Sequence, residues 1–232
     1  MTGMLASVLD VEEALLALSG GADVIDCKDP RRGALGDLPA ATITAIVAAV
    51  GGRRPVSATV GDLPTEADAL VPAIRRVGET GVDFVKIGVF HPVALPAQLP
   101  AMALLARDFR LIAVLFADRG VDLSVVPVLA AAGFAGVMLD TADKSEGDLL
   151  DHLSLPLAAD FVAAAHRNGL LAGLAGSLRR ARVPAMLGVG ADYLGFRGAL
   201  CDGVRTGRLS AEALRDIRAL IAGDLPITRD AA

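Results

Sequence analysis

The sequence predicts a single-domain α/β protein, a (β/α)8 or TIM barrel that spans residues 1–232, on three observations. Short apolar runs alternate with Ala- and Leu-rich segments of helical period along the whole chain. Four similar segments, at 20–26, 80–86, 132–138 and 189–195, each place a glycine and a turn before an apolar run. The segments recur about every 50 to 60 residues, room for two strand–helix units, so the four segments mark four double units and eight strands are expected. The 232 residues also approach the ~250 typical of such barrels.

The predicted strands are short and mostly apolar, as expected for a parallel sheet that is buried on both faces. They lie at 4–9, 23–28, 54–61, 84–89, 111–118, 136–141, 170–176 and 192–197. The predicted helices lie at 11–19, 39–50, 66–79, 94–108, 122–132, 156–168, 180–188 and 210–222. Asp10 with Glu13, Asp122 and Ser210 stand in positions where their side chains can cap the first, fifth and last of these helices. A doubly wound open sheet is the alternative, but no Gly-x-Gly-x-x-Gly turn follows the first strand.

Composition excludes several classes of protein. With 53% hydrophobic and 21% charged residues the chain is too apolar to be disordered. The run from Leu111 to Ala117 is too short to cross a bilayer, and no secretory signal pattern is visible. A net charge of −5 argues against a nucleic-acid surface. Cys27 and Cys201 suggest neither a disulfide framework nor metal-ligand spacing. We therefore expect a soluble protein of a reducing compartment, the cytoplasm. Small barrels often associate through their helices, so a homo-oligomer is also expected.

The lysines point to a site at one end of the predicted barrel. Only three of the 22 basic residues are lysines, namely Lys28, Lys86 and Lys144. Each lies on, or directly after, an even-numbered predicted strand. Since active sites of such barrels form at the carboxyl ends of the strands, these lysines are candidates for catalysis.

Alternation along the strands predicts that Asp26, Lys28 and Lys86 point into the barrel. The second and fourth strands are roughly 10 Å apart, a gap that two lysines can close. Mutual repulsion is expected to lower the pKa of at least one amine, as a Schiff-base nucleophile requires. Asp26 would then accept a proton or hold the amine in place. The alternative is that Lys28 and Asp26 form an internal ion pair that only fills the barrel mouth.

The sixth predicted strand ends with a further candidate carboxylate. Asp140 points inward if Met138 does. It then serves in catalysis, as an acid or a base, or it caps the next helix. Lys144 either holds a phosphate group or is solvated.

The loops after the seventh and eighth strands form the usual phosphate site of such barrels, because free backbone N–H groups lie there. We therefore predict substrate or phosphate binding there, with Arg197 as a charged clamp, by Gly176, Ser177, Arg197, Gly198 and Ala199. No histidine pair or acidic cluster has metal-ligand spacing, so no metal is expected. His91, after the fourth strand, either contacts the site or is a solvated loop residue.

Seven motifs, in order along the chain, resemble those of one enzyme family. They are DVIDCKDP at 23–30, GALG at 33–36, VSATVGD at 56–62, FVKIG at 84–88, MLDTADK at 138–144, LAGSL at 174–178 and FRGALCDGVRTGRL at 196–209. The chain is similar to the (5-formylfuran-3-yl)methyl phosphate synthase family of methanofuran-type cofactor biosynthesis. The segment VFHP at 89–92 departs from the family pattern, which leaves the role of His91 open.

The resemblance implies a TIM-barrel carbon–oxygen lyase that acts on phosphates. Such an enzyme condenses two molecules of glyceraldehyde 3-phosphate and releases one phosphate and water. By resemblance Lys28 is the Schiff-base lysine and Lys86 a second active-site lysine that moves protons. Asp26, Asp140 and Lys144 match further polar positions of the site. No metal or organic cofactor is implied, and the expected partner is a phosphorylated triose.

Three other functions, two of them enzymatic, compete with this interpretation. A class I Schiff-base aldolase that acts on another phosphorylated sugar would use the same pair of lysines. A triose-phosphate isomerase-like enzyme needs no imine. A barrel of a different class, a non-catalytic phosphosugar-binding protein, would not form a covalent adduct at all.

Overall fold

A computed structural model describes residues 1–62, 67–90 and 92–223. The strands pair in chain order, all parallel, and β8 closes the barrel against β1, with Leu5 opposite Gly195. This closure excludes the open sheet and confirms the predicted TIM barrel. The strands are β1 (Gly3–Val8), β2 (Val24–Cys27), β3 (Val56–Thr59), β4 (Phe84–Gly88), β5 (Leu111–Phe116), β6 (Gly136–Asp140), β7 (Leu171–Leu174) and β8 (Tyr193–Phe196).

The helices surround the barrel. They are α1 (Val11–Ser19), α2 (Ala40–Val50), α3 (Ala67–Gly78), α4 (Leu95–Leu105), α5 (Val125–Ala131), α6 (Leu149–His152), α7 (Leu155–Arg167), α8 (Val183–Leu187) and α9 (Ala211–Ala222). Short 3₁₀ helices lie at Pro92–Ala94, Ala117–Arg119, Arg180–Arg182 and Gly198–Leu200.

Two of the predicted helix caps are found in the structure, whereas other helices begin or divide at positions that were not predicted. Asp10 accepts the N–H of Glu13 at 2.9 Å, and Ser210 caps α9, as predicted. Asp122 was predicted as a cap but lies before α5, whose N-cap residue is Ser124, and accepts the N–H of Ser124 at 2.9 Å. The predicted helix at 180–188 divides into a 3₁₀ turn and α8. Helix α6 was not predicted, since four residues carry no helical period, although Asp148 and Asp151 cap it reciprocally.

Two separate cores confirm the predicted alternation of side chains. Ile25, Cys27 and Val85 lie in the outer core between the sheet and the helices. Phe84 and Met138 lie in the inner core, within the barrel. Because side chains alternate along a strand, the lysines and aspartates that share a face with Phe84 and Met138 also point inward.

One half of the barrel mouth is filled by the long segment between β2 and α2. Leu35 of this segment is fully buried in the inner core. Asp62, after β3, accepts the backbone N–H groups of Ala34 at 2.8 Å and of Leu35 at 2.6 Å. On the opposite side the inner residues are small, among them Ala175 and Gly195, so a cavity opens there.

Candidate active site

The cavity has a volume of about 540 Å³ and lies at the carboxyl ends of the strands. Side chains from β1, β2, β4 and β6 reach it, and the segments after β7 and β8 form its rim. Two lysine–aspartate clusters line its interior. All four residues predicted as catalytic line this one cavity: Asp26, Lys28, Lys86 and Asp140.

The first cluster joins Lys86 of β4 to Asp26 of β2. The Nζ atom of Lys86 lies 3.0 Å from Asp26 Oδ1, and both side chains are almost fully buried. The hydroxyl of Ser57 donates to Asp26 Oδ1 at 2.7 Å, and that of Ser7 donates to Oδ2 at 2.9 Å. Asp26 is therefore held by three donors from three different strands.

These contacts determine the charge state of Asp26. Burial by itself raises the pKa of this carboxyl group. The positive charges of Lys86 and Lys28, together with the hydrogen bond from Ser57, outweigh burial and lower the pKa below its ordinary value. Asp26 is thus a carboxylate at neutral pH.

The second cluster joins Lys28 to Asp140 across the mouth. Lys28 Nζ lies 3.3 Å from Asp140 Oδ2, while Lys144 contacts Oδ1 and lies 3.2 Å from Thr141 Oγ1. The N–H of Thr141 also donates to Asp140 Oδ1, at 2.8 Å. This corrects the alternative in which Lys28 pairs with Asp26, because the salt bridge of Lys28 is with the aspartate of β6. Lys144 lines the cavity and is nearly buried, so it is not the solvated residue that the sequence left possible.

Burial and neighbouring charges shift the second cluster in two directions. Burial raises the pKa of Asp140, but Lys144 and Lys28 outweigh it, so the pKa lies well below its usual range. Burial lowers the pKa of Lys144 to about 8, because the attraction of Asp140 does not offset desolvation and repulsion by Lys28. Burial in the cavity therefore brings the pKa of the Lys144 amine toward neutrality.

The two clusters form one chain of alternating charge across the cavity. Lys86, Asp26, Lys28, Asp140 and Lys144 follow one another, and the charge of Lys28 acts on both carboxylates. Such an arrangement places an amine beside groups that can accept or supply a proton. It can therefore support addition of an amine to a carbonyl and the proton transfers that follow.

The predicted phosphate-binding loops line the same cavity. Gly176 and Ser177 have positive φ angles of 106° and 49°. The Ser177 value is uncommon for a residue with a side chain, and such strain concentrates at functional sites. Within the described ranges, the backbone N–H groups of Gly176, Ser177, Gly198 and Ala199 have no protein acceptor.

Arg197 lines the cavity, but its guanidinium is held by the protein. Its guanidinium pairs with the buried Glu13 and also donates to the backbone carbonyls of Ser7, Arg205 and Gly207. The sequence predicted Arg197 as a charged clamp for a phosphate group. In the structure the donors of its guanidinium already have protein acceptors. The contacts instead fix the segment that follows β8.

Three arginines on the rim were not singled out from the sequence: Arg179, Arg180 and Arg205. Arg179 pairs with Asp148 at 3.0 Å, and Arg180 pairs with Asp216 at 2.5 Å. Arg205 lies within an irregular loop, where no periodicity indicates the direction of a side chain.

Neither a metal cluster nor a membrane-spanning helix occurs in the part of the chain that the structure describes. Over residues 1–62, 67–90 and 92–223, no group of three or more His, Cys, Asp or Glu side chains could hold a metal ion. The helices of these same ranges include none that is long and apolar enough to span a membrane. His91 lies outside the described residues. Cys27 faces the outer core, and burial raises the pKa of its thiol.

Comparison with known proteins supports the resemblance that the motifs carry. The model of the 4-HFC-P synthase family matches residues 4–218. A Methylorubrum extorquens protein that is provisionally named (5-formylfuran-3-yl)methyl phosphate synthase is 45% identical over 221 residues, 91% of each chain. The (5-formylfuran-3-yl)methyl phosphate synthase of Methanopyrus kandleri is 37% identical over 211 residues, 86% of this chain and 89% of its own.

Solved structures with low identity show the fold alone. Phosphoribosyl anthranilate isomerase from Thermus thermophilus aligns with a TM-score of 0.67 at 18% identity, over 96% of this chain and 99% of its own. A 3-hexulose-6-phosphate synthase from Salmonella typhimurium aligns with a TM-score of 0.67 at 16% identity, over 97% of this chain and 100% of its own. The family match and the identities to curated relatives confirm the resemblance, and the chain belongs to the 4-HFC-P synthase family of enzymes.

Proposed function

We propose that this protein condenses two molecules of glyceraldehyde 3-phosphate into (5-formylfuran-3-yl)methyl phosphate, through a Schiff base on Lys28. One phosphate and two molecules of water leave, so the atoms balance. The names of the relatives support the product. The observation that carries the proposal is the alternating chain of three amines and two carboxylates in one cavity at the mouth of the barrel.

Lys28 is the proposed nucleophile because it lies between both carboxylates. Lys28 first releases a proton to solvent, and its amine then adds to the aldehyde of the first triose to give a carbinolamine. Loss of water from the carbinolamine forms an iminium ion at the former carbonyl carbon. Asp140, whose Oδ2 is 3.3 Å from Lys28 Nζ, stabilises the positive charge that the iminium carries.

Lys144 is the proposed base for the next step. Its pKa of about 8 gives it a neutral fraction near pH 7, as proton abstraction requires. The amine removes the proton from the carbon next to the iminium, and the electron pair of that C–H bond forms an enamine. The enamine carbon then attacks the aldehyde of the second triose. Ring closure, dehydration and departure of phosphate complete the furan.

Asp26 and Lys86 have a complementary role in the proposal. Three donors hold Asp26 as a carboxylate, so it orients Lys86 and keeps it at the cavity wall. Lys86 then supplies a proton to leaving oxygen atoms. The N–H groups of Gly176, Ser177, Gly198 and Ala199 suit one substrate phosphate, because unpaired donors at such loops bind phosphate oxygens.

Borohydride trapping tests the proposal. Reduction in the presence of glyceraldehyde 3-phosphate should fix the triose on Lys28, and peptide mass spectrometry should locate the adduct there. The Lys28→Arg variant keeps the charge and should give no adduct. An adduct on another lysine overturns the Schiff base on Lys28. The absence of any adduct also overturns it, and favours a binding protein or an isomerase. An adduct without a furan chromophore favours a class I aldolase.

A further inference from the structure

We propose that Arg205 binds the phosphate group of the second triose, at a second anion site between the segment after β8 and the segment after β2. The proposal rests on the proposed function, which requires two phosphorylated substrates in one cavity. Arg205 lines the cavity wall, and its Nη2 atom lies 3.5 Å from the carbonyl oxygen of Gly33. Its side chain thus extends from the loop after β8 toward the loop that follows Lys28.

Arg205 differs from the other arginines of the cavity. Arg179, Arg180 and Arg197 are each held in a salt bridge by a carboxylate, at 3.0 Å from Asp148 and at 2.5 Å from Asp216 and Glu13 respectively. In the described part of the chain, Arg205 has no such partner. The hydrogen bond from its guanidinium to Gly33 O is long, at 3.5 Å. A guanidinium has five donors and can give up this weak contact for a better acceptor.

The charge balance of the cavity also favours an anion there. Three lysines and Arg205 carry four positive charges, whereas two carboxylates, Asp26 and Asp140, line the same space. Burial lowers the pKa of Arg205, yet a guanidinium remains charged at neutral pH. A partly buried charge of this kind is stabilised by a ligand of opposite charge. A planar guanidinium also fits two oxygens of a phosphate at once.

The backbone that carries Arg205 is fixed, so its side chain starts from a defined place. The carbonyl oxygen of Arg205 accepts Nε–H of Arg197 at 3.0 Å, and Arg197 is in turn held by the buried Glu13. Cβ of Arg205 packs beside Gly198, since a Cβ built on Gly198 would lie 3.5 Å from it. One phosphate on the backbone N–H groups of the loops after β7 and β8 and another on Arg205 would therefore lie close together, each with its own donors.

Kinetics of the Arg205→Gln and Arg205→Lys variants test this site, with Arg180→Gln as the matched control. Arg180 is also an arginine on the cavity rim, but Asp216 neutralises it. We expect Arg205→Gln to raise KM for furan formation about 10- to 100-fold, as loss of charged hydrogen bonds does. Arg205→Lys should fall between Arg205→Gln and the unchanged protein. Arg180→Gln should change KM less than about 2-fold, since its charge already has a partner.

Borohydride labelling separates the two substrates. Labelling of Lys28 needs only the first triose, so Arg205→Gln should be labelled at the rate of the unchanged protein. Equal KM increases in Arg205→Gln and Arg180→Gln would overturn the site, because a general loss of positive charge would explain both. Unaltered KM, or loss of labelling in Arg205→Gln with an unchanged unfolding temperature, would also overturn it. If the unchanged protein itself is not labelled, the proposed Schiff base fails and the inference fails with it.

Discussion

Replacing Lys144 by arginine separates its two possible roles, as a base and as a charge that binds phosphate. Arginine keeps the positive charge but does not deprotonate at accessible pH. If Lys144 removes a proton, Lys144→Arg should lower kcat by about 100-fold or more, a typical size for general base catalysis. KM should change little, because the charge toward the substrate remains.

The magnitude of the pH effect follows from the shifted pKa. An amine with its ordinary value of 10.5 is about 0.03% neutral at pH 7, whereas one with a pKa of about 8 is about 10% neutral. Burial in the cavity thus raises the neutral fraction about 300-fold. Since the neutral form is the base, kcat should rise with pH up to about 8 and then level off.

Furan absorbance, followed at saturating glyceraldehyde 3-phosphate between pH 6 and about 10, measures this profile. The pH dependence of kcat reports the groups that titrate while substrate is bound, and that is the state in which Lys144 would act as the base. The ascending limb should be absent from Lys144→Arg. A variant that keeps both its kcat and this limb would refute the role of Lys144 as base and leave phosphate binding as its function.

Three further predictions concern stability and are measured as free energies of unfolding in urea. Glu13→Gln should lose about 3–5 kcal/mol, because it leaves the buried Arg197 unpaired, and a loss below about 1 kcal/mol would contradict the importance of this pair. Leu35→Ala should lose about 2–5 kcal/mol by opening a cavity in the inner core, and a neutral result would show that the segment after β2 does not pack there. Asp10→Ala should lose about 1 kcal/mol through the cap of α1, whereas Asp10→Asn should retain most of it.

Strand alternation carried most of the successful prediction of the site. Asp26, Lys28, Lys86 and Asp140 all line the barrel cavity, because a period of two leaves each inward position determined once one core residue is assigned. Strand alternation does not predict which amine pairs with which carboxylate. Lys28 has a long, flexible stem and reaches across the mouth to β6, so its partner depends on the closure and stagger of the barrel.

Loop residues account for what the sequence did not predict. Leu35 packs into the inner core, and Arg205 lines the cavity, yet both lie in irregular segments. No period there indicates which side chain turns inward. Their positions depend instead on contacts distant in the chain, such as Asp62 beneath Leu35 and Arg197 beneath Arg205.

Inward residues at the same register of β1 and β3 flank the carboxylate of β2, at one end of the charge chain. Ser7 is opposite Asp26 in the sheet, and Asp26 is opposite Ser57, so both hydroxyls point at one carboxylate. With Lys86 as a third donor, the hydrogen bonds to Asp26 favour its charged form over its protonated form. Proton movement is less hindered at the other end of the charge chain, where Lys144 has the lowered pKa. The pH dependence of this enzyme should therefore originate at β6 and not at β2.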